Sequence, residues 1–284
     1  MTASRARVAW IVVTGAFVVA PAVLPAQRPS AAFPEATIEG SQVRTLRSAI
    51  TGTNYEIDVL LPASYAQDST RHYPVLYVLD GQWDFKLLCS VEGGLVYDKW
   101  MPEMIIVGIT YVGRNLDYNA LRAVDYTPVA APGTKGSGGG PKFLRFLKAE
   151  LLPFVASNYR VDDAHRMLLG NSLGGLFAIY AMLTEPDLFA GYIASSPAVT
   201  FGNRDLFARE RAYAASHDDV GARLFIGVGG AEELSRPVQE FMETLRERGY
   251  PALHLETMVF EGEGHTSNKP ETYNRGVRFV ARAP

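Results

Sequence analysis

Arg166-Met167-Leu168-Leu169-Gly170-Asn171-Ser172-Leu173-Gly174-Gly175 is the stretch whose reading decides the fold. Its first half is a short apolar run, the pattern of a strand buried on both faces of a parallel sheet. Its second half opens an apolar helix running from Leu173 to about Leu183. Between them one serine has a glycine two residues before it and another two residues after. A sharp strand-to-helix turn needs that spacing, because it strains the serine backbone and leaves no room for side chains at the flanking positions. Gly175 supplies a further small residue where the helix must pass close to the sheet. A glycine-rich turn that merely packs has the same five letters; the strand before and the helix after favour the strained turn.

The same alternation extends in both directions. Tyr55–Leu61 alternates apolar and polar residues before Pro62, as a half-buried strand does. Pro74–Leu79, Met104–Ile109, Gly191–Ala194, Leu224–Val228 and His254–Phe260 read as further strands. Residues 85–99, Phe143–Ser157, Val238–Arg248 and Glu271–Ala281 carry helical spacing. Strands separated by helices of this length imply parallel crossover units, while the first strands, joined by short turns, read as antiparallel. The expected fold is α/β, a mostly parallel mixed sheet with helices on both faces. Residues 111–140, with Gly113, Pro128, Pro132 and the glycines from Gly136 to Gly140, read as a long loop, and 197–222 as a second insertion. Cys89, the single cysteine, can form no internal disulfide and reads as a buried structural thiol.

A chain of 284 residues with net charge -3 and 48% hydrophobic residues is an ordinary globular chain. It has no basic stripe, which argues against a nucleic-acid partner. Its first 26 residues differ: Arg5 and Arg7 precede an apolar run from Val8 to about Ala20, followed by Leu24-Pro25-Ala26. That is the anatomy of a secretory signal peptide. An uncleaved anchor is the alternative, but the run is short for a membrane span of about 20 residues and Pro21 ends it. Residues 1–26 are therefore expected to be a signal peptide, 27–41 a linker and 42–284 one α/β domain. The mature protein is expected to be exported, periplasmic or secreted, with no stable membrane association.

A serine in such a turn becomes a nucleophile when a base takes its proton and an acid orients the base. With a nucleophile elbow the acid and then the histidine follow the serine in the chain. Of the histidines after Ser172, His254 lies inside a strand and His217 precedes the strand that should supply the acid. His265 follows the Gly-rich loop Phe260–Gly264, at the carboxyl edge of the sheet where ligands bind. The acid should lie in Gly229-Gly230-Ala231-Glu232-Glu233; Glu232 is the first candidate and Glu233 the second, unless the two merely favour the start of the next helix. The oxyanion hole needs two backbone N–H groups, expected from Leu173 and from Gln82, where Gly81 would free the backbone to turn. Trp83, Phe85, Tyr111, Tyr118, Tyr126 and Phe201 fall on segments expected near the site, where they could stack on an aromatic acyl group; Arg114 and Arg122 could pair with an anionic ligand. Trp83, Tyr126 and Arg122 are the candidate substrate contacts.

These residues resemble a known family, the putative-esterase family of α/β-hydrolases, which includes siderophore esterases, esterase D-type enzymes and feruloyl esterases. The resemblance rests on Val78-Leu79-Asp80-Gly81-Gln82, Asp125-Tyr126-Thr127-Pro128, Phe146–Leu151, Gly170–Phe177, Ser195-Ser196-Pro197 and the Glu232 and His265 loops, and spans about 42 to 281. It implies ester hydrolysis with no metal or organic cofactor, on a small-molecule ester. Two positions depart from the family pattern: Asn171 stands where a histidine usually precedes the serine, and Val124 where an arginine commonly precedes the Asp-Tyr-Thr-Pro segment. The expected activity is that of a serine esterase working through an acyl-enzyme, on siderophore or aromatic acyl esters. A prolyl-oligopeptidase-like peptidase and a non-catalytic ligand-binding homologue are the alternatives.

Overall fold

The computed structural model describes residues 37–282. The expected signal peptide and most of the linker lie outside the described residues. Eight strands form one sheet in the order β1-β2-β4-β3-β5-β6-β7-β8. In chain order they are β1 (Ser41–Arg47), β2 (Asn54–Leu60), β3 (Tyr73–Val78), β4 (Ile105–Tyr111), β5 (Val161–Asn171), β6 (Gly191–Ser195), β7 (Arg223–Gly229) and β8 (His254–Phe260). The β1–β2 pair, joined by a short turn, and the β2–β4 pair are antiparallel and the rest parallel.

Side chains alternate across the sheet and build a core on each face. On one, Leu76, Val78, Ile106, Leu169, Ile193 and Phe225 pack with Phe85 and Leu88 of α1 (Gly81–Tyr97) and Tyr273 and Val277 of α8 (Lys269–Val280). On the other, Tyr77, Leu168, Tyr192 and Ile226 meet the remaining major helices. These are α3 (Gly140–Phe146), α4 (Leu152–Asn158), α5 (Leu173–Thr184), α6 (Phe201–Ala214) and α7 (Ser235–Arg248). One π-helical turn, Leu147–Leu151, joins α3 to α4, so the run read as a single helix over 143–157 is continuous from 140 to 158.

Both stretches read as insertions contain helix. Within 111–140 lies α2 (Tyr118–Asp125), started by the Asp117 carboxylate accepting the Ala120 N–H at 3.0 Å. The chain after it is tied down by Thr127, whose hydroxyl donates to the Ala123 carbonyl and accepts the Gly138 N–H. Within 197–222 lies α6, whose first turn is left-handed through Gly202, Asn203 and Arg204. Cys89 is half-buried on α1 rather than sealed in the core. It lines a cavity of about 640 Å³ with Ile38, Leu60, Pro62 and Tyr65. Burial, with Glu92 and Asp58 nearby, pushes its thiol up to about 12, so it stays protonated and unreactive at neutral pH.

Candidate active site

Parallel strands β3, β5, β6, β7 and β8 all end on the same edge. Asn171 pairs with Ser195, Ser195 with Gly227, and Gly229 with Phe260, so the loops leave the sheet side by side. Ser172 sits between β5 and α5 with φ 59° and ψ -116°, the strained turn that the glycine spacing demands. A Cβ on Gly170 would stand 2.4 Å from the Gly174 carbonyl carbon, so the turn closes only with glycine there. As the first residue of α5, Leu173 presents an N–H with no acceptor within the helix.

The loop after β8 brings His265 back to this edge, and the loop after β7 brings Glu232 behind it. His265 Nδ1 lies 2.5 Å from Glu232 Oε2. Glu232 Oε1 accepts the Gly229 N–H at 2.8 Å and the Ser196 hydroxyl. The Glu232 side chain is 4% exposed and that of His265 38%. Burial opposes ionisation of Glu232, but the donors from His265, Ser196 and Gly229 outweigh it and hold its carboxyl below the ordinary value. Glu233, one residue on, is exposed to solvent. No hydrogen bond joins the Ser172 hydroxyl to His265, but both line one pocket of about 470 Å³ together with Asp80, Trp83, Asn119, Arg122, Asn171, Thr266 and Lys269.

The other wall begins at Asp80, left-handed at φ 57°. Gly81, expected to supply that freedom, serves another purpose: a Cβ there would lie 3.0 Å from the backbone of Gly108 and Ile109, so glycine lets α1 approach β4. Gln82 follows in the first turn of α1, outside the residues lining the pocket, while its neighbours Asp80 and Trp83 line it. Trp83 is 46% exposed and meets Tyr118 edge-on at 5.9 Å. Tyr126 is the clear correction among the expected substrate contacts. Its ring is buried against Phe143 and Phe177, and its hydroxyl accepts the Asp80 N–H, so it supports the wall from behind and does not line the pocket. Phe85 and Tyr111 are buried as well, and Arg114 is exposed away from the pocket lining.

Arg122 does line the pocket, but its charge is already matched. Its guanidinium takes both oxygens of Asp80, at 2.9 and 2.7 Å, and donates to the Asn171 carbonyl at 2.9 Å. Burial works against the cation, yet the Asp80 carboxylate outweighs it and raises the guanidinium above its ordinary value. The pair ties the β3 loop to the residue preceding Ser172, which is an orienting task as well as a lining one. Lys269 is likewise matched, by Asp84 at 2.8 Å. Sequence reasoning gave no site role to Asp80, Lys269, Ser196 or Asn268; the available signal was that Asp80 and Ser196 follow strand ends on the carboxyl edge. Among the described residues no group of His, Cys, Asp and Glu has the clustering of a metal site.

An elbow serine with histidine and carboxylate loops on the carboxyl edge of a mostly parallel sheet is the arrangement of an α/β-hydrolase. A family model described as "Putative esterase" matches residues 48–265, and the chain belongs to that family. Ferri-bacillibactin esterase BesA of Bacillus subtilis (strain 168) is 27% identical over 264 residues, covering 86% of this chain and 90% of the relative. The siderophore triacetylfusarinine C esterase of Aspergillus fumigatus is 29% identical over 260 residues, covering 80% and 88%. Among solved structures, the BES protein from Bacillus cereus superposes with a TM-score of 0.80 at 26% identity, covering 90% of this chain and all of that one. The protein is a carboxylic-ester hydrolase.

Proposed function

We propose that the enzyme is a serine esterase that uses Ser172 as nucleophile, His265 as base and Glu232 as orienting acid, and that it acts on siderophore or aromatic acyl esters. The observation that carries this reading is the His265–Glu232 hydrogen bond in the pocket that also holds the strained Ser172. With the Nδ1 proton held by Glu232, Nε2 is free to take the Ser172 proton as Oγ attacks the ester carbonyl. The Leu173 and Gln82 N–H groups stabilise the oxyanion, His265 returns the proton to the leaving alcohol, and water then releases the acid by the same route. No cofactor enters this scheme.

The substrate class draws support from the relatives, two of which are named for siderophore esters, and from the exposed Trp83 ring on the pocket wall, backed edge-on by Tyr118. No feature of the pocket favours a peptidase, and the family membership weighs against a non-catalytic ligand carrier. Export, to the periplasm or beyond, is supported by Arg5, Arg7 and the apolar run after them; among the described residues no helix is long and apolar enough to cross a membrane. The test is a panel of aryl, short acyl and siderophore esters with matched peptides. Siderophore or aryl esters should be the best substrates, and Trp83→Ala should lower kcat/KM on them about two- to tenfold more than on acetyl esters. Peptide cleavage at a comparable rate, or folded protein that hydrolyses no ester in the panel, would overturn the proposal.

A further inference from the structure

Behind the candidate triad a single buried side chain ties the His265 turn to the end of β6. Asn268 is fully buried, between the His265 turn and the first turn of α8. Its Nδ2 donates to the Gly264 carbonyl at 2.7 Å, the His265 carbonyl at 3.2 Å and the Ser196 hydroxyl at 2.9 Å. Its Oδ1 accepts from the hydroxyls of Thr272 at 2.9 Å and Ser195 at 3.1 Å. Ser195 also reaches Asn171 Oδ1 at 2.9 Å, next to the nucleophile. Asn268 is the N-cap position of α8 but makes no capping bond with its side chain, so its hydrogen-bonding capacity goes to the site.

The direction of this chain follows from elementary donor and acceptor rules. Two of the Nδ2 partners are carbonyl oxygens, which cannot donate, so the amide can face them only with its NH2. The Ser196 oxygen must therefore accept from Asn268, and its one proton is left for Glu232, an acceptor only. We propose that Asn268 is a positioning residue for catalysis: it pins the turn that carries His265 and, through Ser196, aims a hydroxyl at the Glu232 oxygen remote from the imidazole. This rests on the assignment of Glu232 and His265 made above. The fixed donor spreads the Glu232 charge away from His265 and keeps the carboxylate from rotating off the ring.

Asn268→Ala and Ser196→Ala test this, with kcat and KM on an aryl ester resolved across pH. Removing the Ser196 donor to the buried carboxylate, or the Asn268 amide that aims it, should lower kcat by about ten- to a hundredfold, with KM within about twofold. Without that donor the Glu232 charge concentrates on the oxygen facing His265 and favours the imidazolium. The acidic limb of kcat/KM should then move upward by about half a pH unit or more in both variants. The other charged groups around the pair are Glu233 on its own loop, Glu261 and Glu263 after β8, and Lys269, Arg122 and Asp80 on the pocket wall. Ser196→Ala touches neither the His265 turn nor any of these groups, so in that variant they cannot account for the movement. The double variant should fall no further than the lower single one. Folded variants with unchanged kcat and an unmoved limb overturn the proposal, as does a loss of activity that only tracks a loss of folded protein. If Asn268→Ala does not fold, Ser196→Ala, which removes one oxygen, decides alone. Ser172→Ala and Glu232→Gln run alongside: retained activity there would sink the triad assignment, whereas their inactivity with an unmoved limb sinks this inference alone.

Discussion

Replacing Glu232 by glutamine changes one atom, and the structure says where that atom must go. The Oε1 position receives two donors, the Gly229 N–H and the Ser196 hydroxyl. An amide oxygen is the only glutamine atom that satisfies both, so the NH2 takes the Oε2 position, against His265 Nδ1. The ring must then accept at Nδ1 and carry its proton on Nε2, the tautomer that cannot take a proton from Ser172. On the proposed assignment this removes the orienting acid with its geometry kept, which costs about 10⁴-fold in kcat, equivalent to about 5 kcal/mol of barrier. Folding should suffer far less, by about 1 to 3 kcal/mol for a buried hydrogen-bond network with one charge removed. Glu233→Gln is the control: the residue is exposed, and its loss should leave both activity and stability nearly unchanged. The assay is ester turnover with protein shown to be folded by circular dichroism and denaturant titration. A folded Glu232→Gln that keeps activity within about tenfold of the parent would refute the tautomer argument. A dead Glu233→Gln beside an active Glu232→Gln would move the acid by one residue.

Three further outcomes are expected. Gly170→Ala forces a methyl to 2.4 Å from the Gly174 backbone, so it should cost about 1–3 kcal/mol or more of stability and most of the esterase activity, read by denaturant titration and ester turnover. Burial pushes Asp125, which accepts from Tyr55 and Tyr111, up to about 6. The folded state therefore holds that proton more tightly than the unfolded chain does. This group's contribution to stability falls as pH rises from its ordinary value to about 6, by up to about 3 kcal/mol. Asp58 and Glu92, raised to about 6 and about 7, act in the same direction. Asp125→Asn should flatten part of that slope and be at least as stable as the parent at pH 8, and a clear loss at pH 8 in urea titrations would contradict it. Intact mass of protein from an exported fraction should lack roughly residues 1–26, and a full-length chain held in membranes would end the export proposal.

The elbow was legible because its signal is local: an apolar strand, a serine between spaced glycines and an apolar helix lie within one short segment. His265 and Glu232 could be singled out as candidates because strand order limits which loops can reach Ser172, and the structure places those two side chains 2.5 Å apart. What escaped depends on contacts between distant residues. Asp80 and Arg122 are 42 positions apart, and each alone reads as a turn carboxylate and a solvated cation. Tyr126 looked like a loop aromatic because α2 is only eight residues long and hidden among glycines and prolines. From sequence Gly81 reads as a conformational joint, whereas its purpose, close passage over Gly108, depends on which strand lies beneath α1. Asn268 gave no sign of its reach, since its partners include residues 72 and 73 positions away.

Whether Ser172 is an activated nucleophile is tested most directly by a fluorophosphonate probe, followed by digestion and mass spectrometry of the labelled peptide. The expected result is one label on Ser172 in folded protein, with turnover lost in step with labelling, and no label after heat denaturation or in Ser172→Ala. Folded, ester-hydrolysing protein that leaves Ser172 unlabelled, or that carries the label on another residue, would contradict the account.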